Sequence, residues 1–388
     1  VEETKLCIVA YFDSYNYFQW NIALEKFKAK LGIEVISINA APLYKKIHSD
    51  FKNDPYWNPL KQADVVFAYI VRRSTRHEPS GISWWTLPQF VKPFMKPEAK
   101  MIAQYDDEFL WLFDPKGMWW DTSIMPNPPN QGPEEFFKDT GILEIPDAHL
   151  VVTNNFQLQK YTTKPVFKLF IPQLCRYNLR KYSENHKGNN IAMMLHSPKS
   201  SSISASLENV IRPKNYPVTV FNGTLDRHFV ENFRRNTPLP VNSIVYERLE
   251  YEPYADLLWR TNSIGLDNNI GYGGWSRFAM ECAITCIPCV GSSDSVHDIF
   301  PELYTTPIDY VKQIELIERL KTDKEFYHKM VEAGRKRVLE LFDDEKLCNA
   351  LLDIFNKIGV SKTQLTLNDV PIPESNYKPD SQQAHPHP

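Results

Sequence analysis

Short apolar runs alternate along the chain with longer stretches in which apolar residues recur three and four positions apart. Residues 6–12 read as a strand, and residues 15–31 read as a helix, with Phe18, Ile22, Ala23 and Phe27 on one face and Gly32 as its stop. Strands at 34–40, 64–70 and 100–105 follow, with a helix over 42–51 and a Trp- and Phe-rich segment over 84–95 between them. Parallel strands need crossovers, so this β-α-β order predicts a parallel sheet covered by helices. Residues 114–133 break the rhythm with Pro115, Gly117, Pro126, Pro128, Pro129, Gly132 and Pro133 and read as a long loop of the kind that covers sites. Alternation then resumes with strands at 149–153 and 166–171 around a helix over 156–161.

Residues 176–190 are polar and unpatterned, as a linker between domains should be. A second series begins there. Its strands fall at 190–196, 218–222, 244–249, 263–266 and 288–291, and its helices at 201–211, 226–235, 254–260 and 275–283. Amphipathic helices over 310–320, 324–342 and 344–358 close the pattern, and the tail over 361–388, rich in Pro, Gln, Ser and His, is expected to be disordered. The pattern predicts an α/β chain of two doubly wound, Rossmann-like domains, 1–180 and 187–345. Ligands of such sheets bind beyond the carboxyl ends of the strands, so the expected site is a central cleft that the two domains face.

Composition narrows the function classes. A chain of 388 residues exceeds one ordinary core, and 43% hydrophobic with 23% charged residues suits large globular cores. The net charge of -3 supplies no general attraction to nucleic acid, so no nucleic-acid partner is expected and anion binding must be local. No apolar run approaches the ~18 to 20 residues of a membrane helix, and no charged-then-apolar leader opens at Val1. Six cysteines scattered through so large a chain suit a reducing compartment better than a disulfide scaffold, and the expectation is cytoplasmic. Cys286 and Cys289 form a C-x-x-C, a redox motif or half a metal site by spacing, but no second Cys or His pair stands at zinc spacing and no metal is expected.

Gly271, Gly273 and Gly274 precede a predicted helix, where backbone N–H groups and the helix start can approach phosphates closely. Ser276 and Arg277 open that helix, and Arg277 either reaches a phosphate or stays on the solvated surface. Lys199 and Arg227 each follow a predicted strand, at the edge where a diphosphate would need cations. Glu281 sits mid-helix among Phe278, Ala279, Met280 and Ala283, where an unpaired carboxylate would be costly. Asp106 and Asp107 follow a predicted strand, and such a pair can act as a general base, bind a divalent metal or cap the next helix. Trp84, Trp85, Trp111, Trp119 and Trp120 crowd the same half, beside Arg72, Arg73, Arg76, Lys92 and Lys96. Most of these aromatics are expected in the core, with two or three left to stack on sugars or a lipid carrier, and the basic residues suit peripheral contact with an anionic membrane surface.

The stretch Asn269-Ile-Gly-Tyr-Gly-Gly-Trp-Ser-Arg-Phe-Ala-Met-Glu281, followed by Cys286-Ile-Pro288, resembles the donor-site signature of the retaining family-4 glycosyltransferases of GT-B fold. The resemblance places Glu281 on the family's second glutamate, implying a hydrogen bond to the donor ribose, and Pro288 on the proline of the following turn. Cys286 occupies the family's usual glycine position, and Gly273 stands where the family has its first glutamate. Weaker likeness in 165–172, 196–200, 251–259 and 335–342 extends it over most of the chain, with a last helix over 345–358 that crosses back to the N-terminal domain. The resemblance implies a hexosyltransferase that moves a sugar from a UDP-, GDP- or ADP-sugar to a hydroxyl of a glycan, lipid-linked or small-molecule acceptor, with retention and without a required cofactor. On this reading the donor lies in the C-terminal half, and Asp106 or Asp107 faces acceptor or donor sugar. A catalytically silent GT-B protein that binds nucleotide or glycan is the alternative from another class.

Overall fold

The structure is a computed structural model that describes residues 4–10, 15–39, 55–70, 87–105, 133–152, 158–170, 181–184, 188–195, 201–223, 227–268 and 275–360. They divide into two compact units, one drawn from Val1–Gln173 and Phe342–Glu374 and the other from Leu174–Leu341. The expected helix over 42–51, the loop over 114–132 and the tail over 361–388 lie outside the described residues.

The first unit is built on a parallel sheet in the order β2-β1-β3-β4-β5-β6. The strands are β1 (Thr4–Ala10), β2 (Ile33–Asn39), β3 (Val65–Ile70), β4 (Lys100–Tyr105), β5 (Ala148–Val151) and β6 (Val166–Lys168). β3 is buried at every position and β1 at all but Lys5, which explains their unbroken apolar runs: both faces of the sheet are covered. Helix α1 (Tyr15–Leu31) supplies part of that cover, with the Trp20 ring centroid 5.0 Å from that of Phe67. Two short helices follow, α2 (Asn58–Gln62) and α3 (Leu87–Val91). Trp57 stacks on Phe94 at 5.1 Å, so this part of the aromatic-rich sequence is core.

Two sequence expectations are corrected here. Pro133 does not end a loop but opens helix α4 (Pro133–Thr140), with Glu134 and Glu135 in its first turn where the helix dipole favours acids. The helix expected over 156–161 is, in its described part, a single 3-10 turn, Leu158–Lys160. The C-terminal helix Asp344–Lys357 belongs with this unit: Lys26 and Lys30 of α1 pair with Asp344 at 2.6 Å and Glu345 at 3.2 Å, and Lys357 lies 5.2 Å from the Phe167 ring centroid. Its buried Leu347, Leu351, Ile354 and Phe355 keep the three-and-four spacing of an amphipathic helix.

The second unit holds a parallel sheet in the order β11-β10-β7-β8-β9, from β7 (Asn190–Leu195), β8 (Val218–Asn222), β9 (Ile244–Tyr246), β10 (Asn262–Asp267) and β11 (Cys289–Gly291). Helix α5 (Ser201–Ser206) widens into a π-helical turn, Leu207–Ile211, and tightens again over Arg212–Lys214, with Pro213 removing a backbone donor there. The remaining helices are α6 (Arg227–Asn236), α7 (Tyr251–Thr261), α8 (Phe278–Ile284), α9 (Asp294–Ile299), α10 (Tyr310–Thr322) and α11 (Lys324–Leu341). Ser293 caps α9 by accepting from the Val296 N–H, and Asp309 caps α10 by accepting from that of Lys312. No helix among the described residues is long and apolar enough to cross a membrane.

Candidate donor site

In the second sheet the chain moves outward from β7 through β8 and β9, then returns to the other side of β7 with β10 and β11. The order therefore reverses between β7 and β10. Open α/β sheets bind ligands at such a switch point, beyond the carboxyl ends of the two strands. β7 ends at Leu195, directly before the segment that carries Lys199, and β10 ends at Asp267, just before the segment that carries Gly271, Gly273 and Gly274. Lys199 and the three glycines lie outside the described residues, as do Asp106 and Asp107. Arg227 is the first residue of α6, and its side chain is likewise outside them. In the first sheet the order reverses between β1 and β3, so β4, whose last residue Tyr105 precedes Asp106, is one strand from the switch point.

The end of β10 is held by buried polar side chains. Asn268 and Gln313 of α10 form a reciprocal amide pair, each NH₂ 2.9 Å from the other's carbonyl oxygen. Asn268 Nδ2 also donates to Ser206 Oγ at 2.9 Å, while its Oδ1 accepts from the Ser292 N–H at 3.0 Å. Gln313 Nε2 has Thr305 Oγ1 as its second acceptor at 2.9 Å. Both NH₂ groups thus use both donors, as buried amides must. One residue earlier, Asp267 Oδ2 accepts from Ser293 Oγ at 2.8 Å and Ser295 Oγ at 3.2 Å. The exit of β10 is thereby tied to α5, α9 and α10.

Every residue of α8 is buried. The helix lies close to β10 because position 265 is glycine: a Cβ there would fall 2.6 Å from Cys282 Sγ and 2.9 Å from Cys289 Sγ. Glu281 is 6% exposed, and its Oε2 accepts from the Tyr254 hydroxyl of α7 at 2.8 Å. No other described residue donates to this carboxylate. Burial, reinforced by the charge of Glu281, pushes the Tyr254 phenol well above its ordinary range, so it remains a donor.

Ser276 and Arg277 sit beside this helix but outside it. The Ser276 hydroxyl accepts the Phe278 N–H at 3.2 Å, so α8 starts at Phe278 and Arg277 takes the cap position, where a helical first turn was expected. Trp275 Nε1 donates to Asp298 Oδ2 at 3.0 Å, which fastens the start of α8 to α9.

The C-x-x-C does not close on itself. Cys286 Sγ meets Arg335 and the Tyr182 carbonyl, whereas Cys289 lies beside Cys282. The five described cysteines are free thiols, burial raises the pKa values of all three in this region, and no group of three metal-ligating side chains occurs among the described residues. Cys286 has φ +60°, the left-handed region in which glycine alone is unstrained. Sequence reasoning missed Tyr254, Asn268 and Gln313. Their spacing carries no signal, because each role depends on a partner 27 or 45 residues away.

No family model matches the chain, and no curated protein matches it in sequence. Solved structures do match. A glycosyltransferase from Rickettsia africae aligns over 94% of this chain and 100% of its own, with TM-score 0.60 and 14% identity. An α-glucosyltransferase in complex with UDP and DNA aligns over 92% and 100%, with TM-score 0.59 and 11% identity. The same holds for Anabaena HepE in complex with UDP, over 91% and 100%, with TM-score 0.59 and 8% identity. The fold is GT-B. In this GT-B chain the likeness spans both sheets, and the second carries the Glu281 site.

Proposed function

We propose that the chain is a glycosyltransferase that holds a nucleoside-diphosphate sugar at the carboxyl edge of its second sheet and passes the sugar to an acceptor hydroxyl. The observation that carries this reading is Glu281: a carboxylate buried on an all-buried helix, with one oxygen held by Tyr254 and no other described donor. A ribose hydroxyl is a fitting partner for the other oxygen, and UDP is present in several of the similar structures. Gly271, Gly273 and Gly274 supply backbone N–H groups to the diphosphate on this reading, with Lys199, Arg227, Ser276 and Arg277 as its polar and cationic contacts.

Charge develops on the leaving diphosphate as the glycosidic bond breaks, so oriented N–H groups and cations there speed the step. With retention, a donor phosphate oxygen takes the acceptor proton on the face from which the diphosphate leaves. Asp106 and Asp107 then orient the sugars. One of the similar structures holds DNA beside UDP, which gives no support to excluding a nucleic-acid acceptor.

The test is calorimetric titration of the wild type and Glu281→Ala with UDP, GDP and ADP. One of the three should bind, and Glu281→Ala should weaken it by about 10- to 100-fold, the worth of a hydrogen bond to a charged group. Equal affinity for the two proteins removes Glu281 from the site. Proton NMR of the anomeric product, formed with an acceptor panel that includes DNA, then reads retention or inversion.

A further inference from the structure

Tyr254 is itself held from several sides. It is 7% exposed, its ring meets Phe221 of β8 edge-on at 5.0 Å, and Phe221 in turn stacks on Tyr246 of β9 at 5.5 Å. Tyr251, one turn earlier on α7, lies 6.3 Å away. A ring held this way has little freedom to move its hydroxyl, which stands 2.8 Å from Glu281 Oε2. Glu281 has three side-chain torsions and no other described donor to fix them. From this geometry we infer that Tyr254 is a positioning residue: it fixes the Glu281 carboxylate so that Oε1 is presented to a ribose hydroxyl of the nucleotide.

This rests on the reading of Glu281 as the ribose contact. It adds that α7 and the β8–β9 side of the sheet set ribose recognition through one rigid phenol, without themselves touching the nucleotide. Without the hydroxyl, the carboxylate samples other rotamers and the nucleotide must order it on binding.

The experiment uses the full chain as wild type, Tyr254→Phe, Glu281→Ala and the double variant, titrated calorimetrically with UDP and with 2′,3′-dideoxyuridine 5′-diphosphate. Should the wild type prefer GDP or ADP, that nucleotide and its dideoxy form replace them. Tyr254→Phe keeps the ring and should weaken the ribonucleotide by about five- to tenfold. It should leave the dideoxy nucleotide unchanged and have no further effect in the Glu281→Ala background. Equal weakening of both nucleotides, additivity with Glu281→Ala, or unchanged affinity with only a lowered melting temperature would each overturn the positioning role. A wild type that binds none of the three nucleotides sinks the functional reading itself, and one that binds ribo and dideoxy forms alike sinks the ribose contact. These failures are distinct from that of Tyr254, which is read only where both hold.

Discussion

Acid should loosen the first unit through one histidine. His149 on β5 is fully buried, its Nδ1 3.0 Å from the Tyr105 hydroxyl of β4 and its Nε2 2.8 Å from the Leu143 carbonyl. A carbonyl can only accept, so Nε2 carries the proton and Nδ1 accepts from Tyr105. The neutral ring satisfies both contacts; a proton on Nδ1 would place a charge in the buried core and make the Tyr105 oxygen the acceptor. Burial is the main cause that lowers the His149 pKa from 6.5 to about 4, with Lys164 adding to it and the Leu143 bond and Glu144 opposing. Between these two values the unfolded chain binds a proton that the folded chain refuses, so stability is full above pH 6.5 and falls as the pH drops towards 4. The gap of about 2.5 in pKa, at 1.36 kcal/mol for each, amounts to about 3 kcal/mol in all, of which roughly 2 is lost by pH 5. Two units need not unfold together, so the assay is hydrogen exchange of the β4 and β5 amides at fixed temperature from pH 7 to 4, corrected for intrinsic rates. His149→Gln should remove most of the fall in opening free energy. A His149 ring that titrates near 6.5 in the folded protein by NMR, or β4 and β5 amides equally protected at pH 7 and 5, would refute the reasoning.

Two further outcomes concern the second unit. Asn268→Asp should destabilise it by about 3 kcal/mol in urea unfolding at neutral pH, because a carboxylate oxygen replaces a donor and faces Gln313 Oε1 in a buried setting. Turning the Gln313 amide would only move the clash, since its Nε2 already donates to Oδ1 of residue 268, so Asn268→Asp with wild-type stability would show the network to be dispensable. Cys286→Gly should be the more stable of two truncations, ahead of Cys286→Ala by about 1 kcal/mol, because both lose the buried sulfur but only glycine relieves φ +60°; the reverse order in thermal melts would refute the strain argument.

The parallel sheets were legible in the sequence because strands buried on both faces read as apolar runs, as in β3, and crossover helices read as amphipathic stretches, as in α1 and α7. Helix α9 and the caps Ser293 and Asp309 were not read from the sequence, because α9 is only six residues long and offers little periodicity. Boundaries shifted where a local hydrogen bond competes with the pattern: the Ser276 hydroxyl delays α8, and the helix expected over 201–211 changes its winding after Ser206. Which strand neighbours which is not a local property. For that reason the reversal between β7 and β10, which marks the ligand edge, appears only in the folded sheet.

Position 286 joins the two kinds of information. By resemblance it is a glycine position occupied by cysteine, and periodicity alone offers no reason for either residue. The backbone there turns with φ +60° between α8 and β11, as the Cys286 N–H donates to the Ala283 carbonyl and the Ile287 N–H to that of Cys282. Those bonds close the helix and aim the chain at Pro288, so the turn demands the left-handed conformation whatever residue occupies it. Glycine would satisfy the demand without strain; cysteine satisfies it while its Sγ packs against Arg335 and the Tyr182 carbonyl.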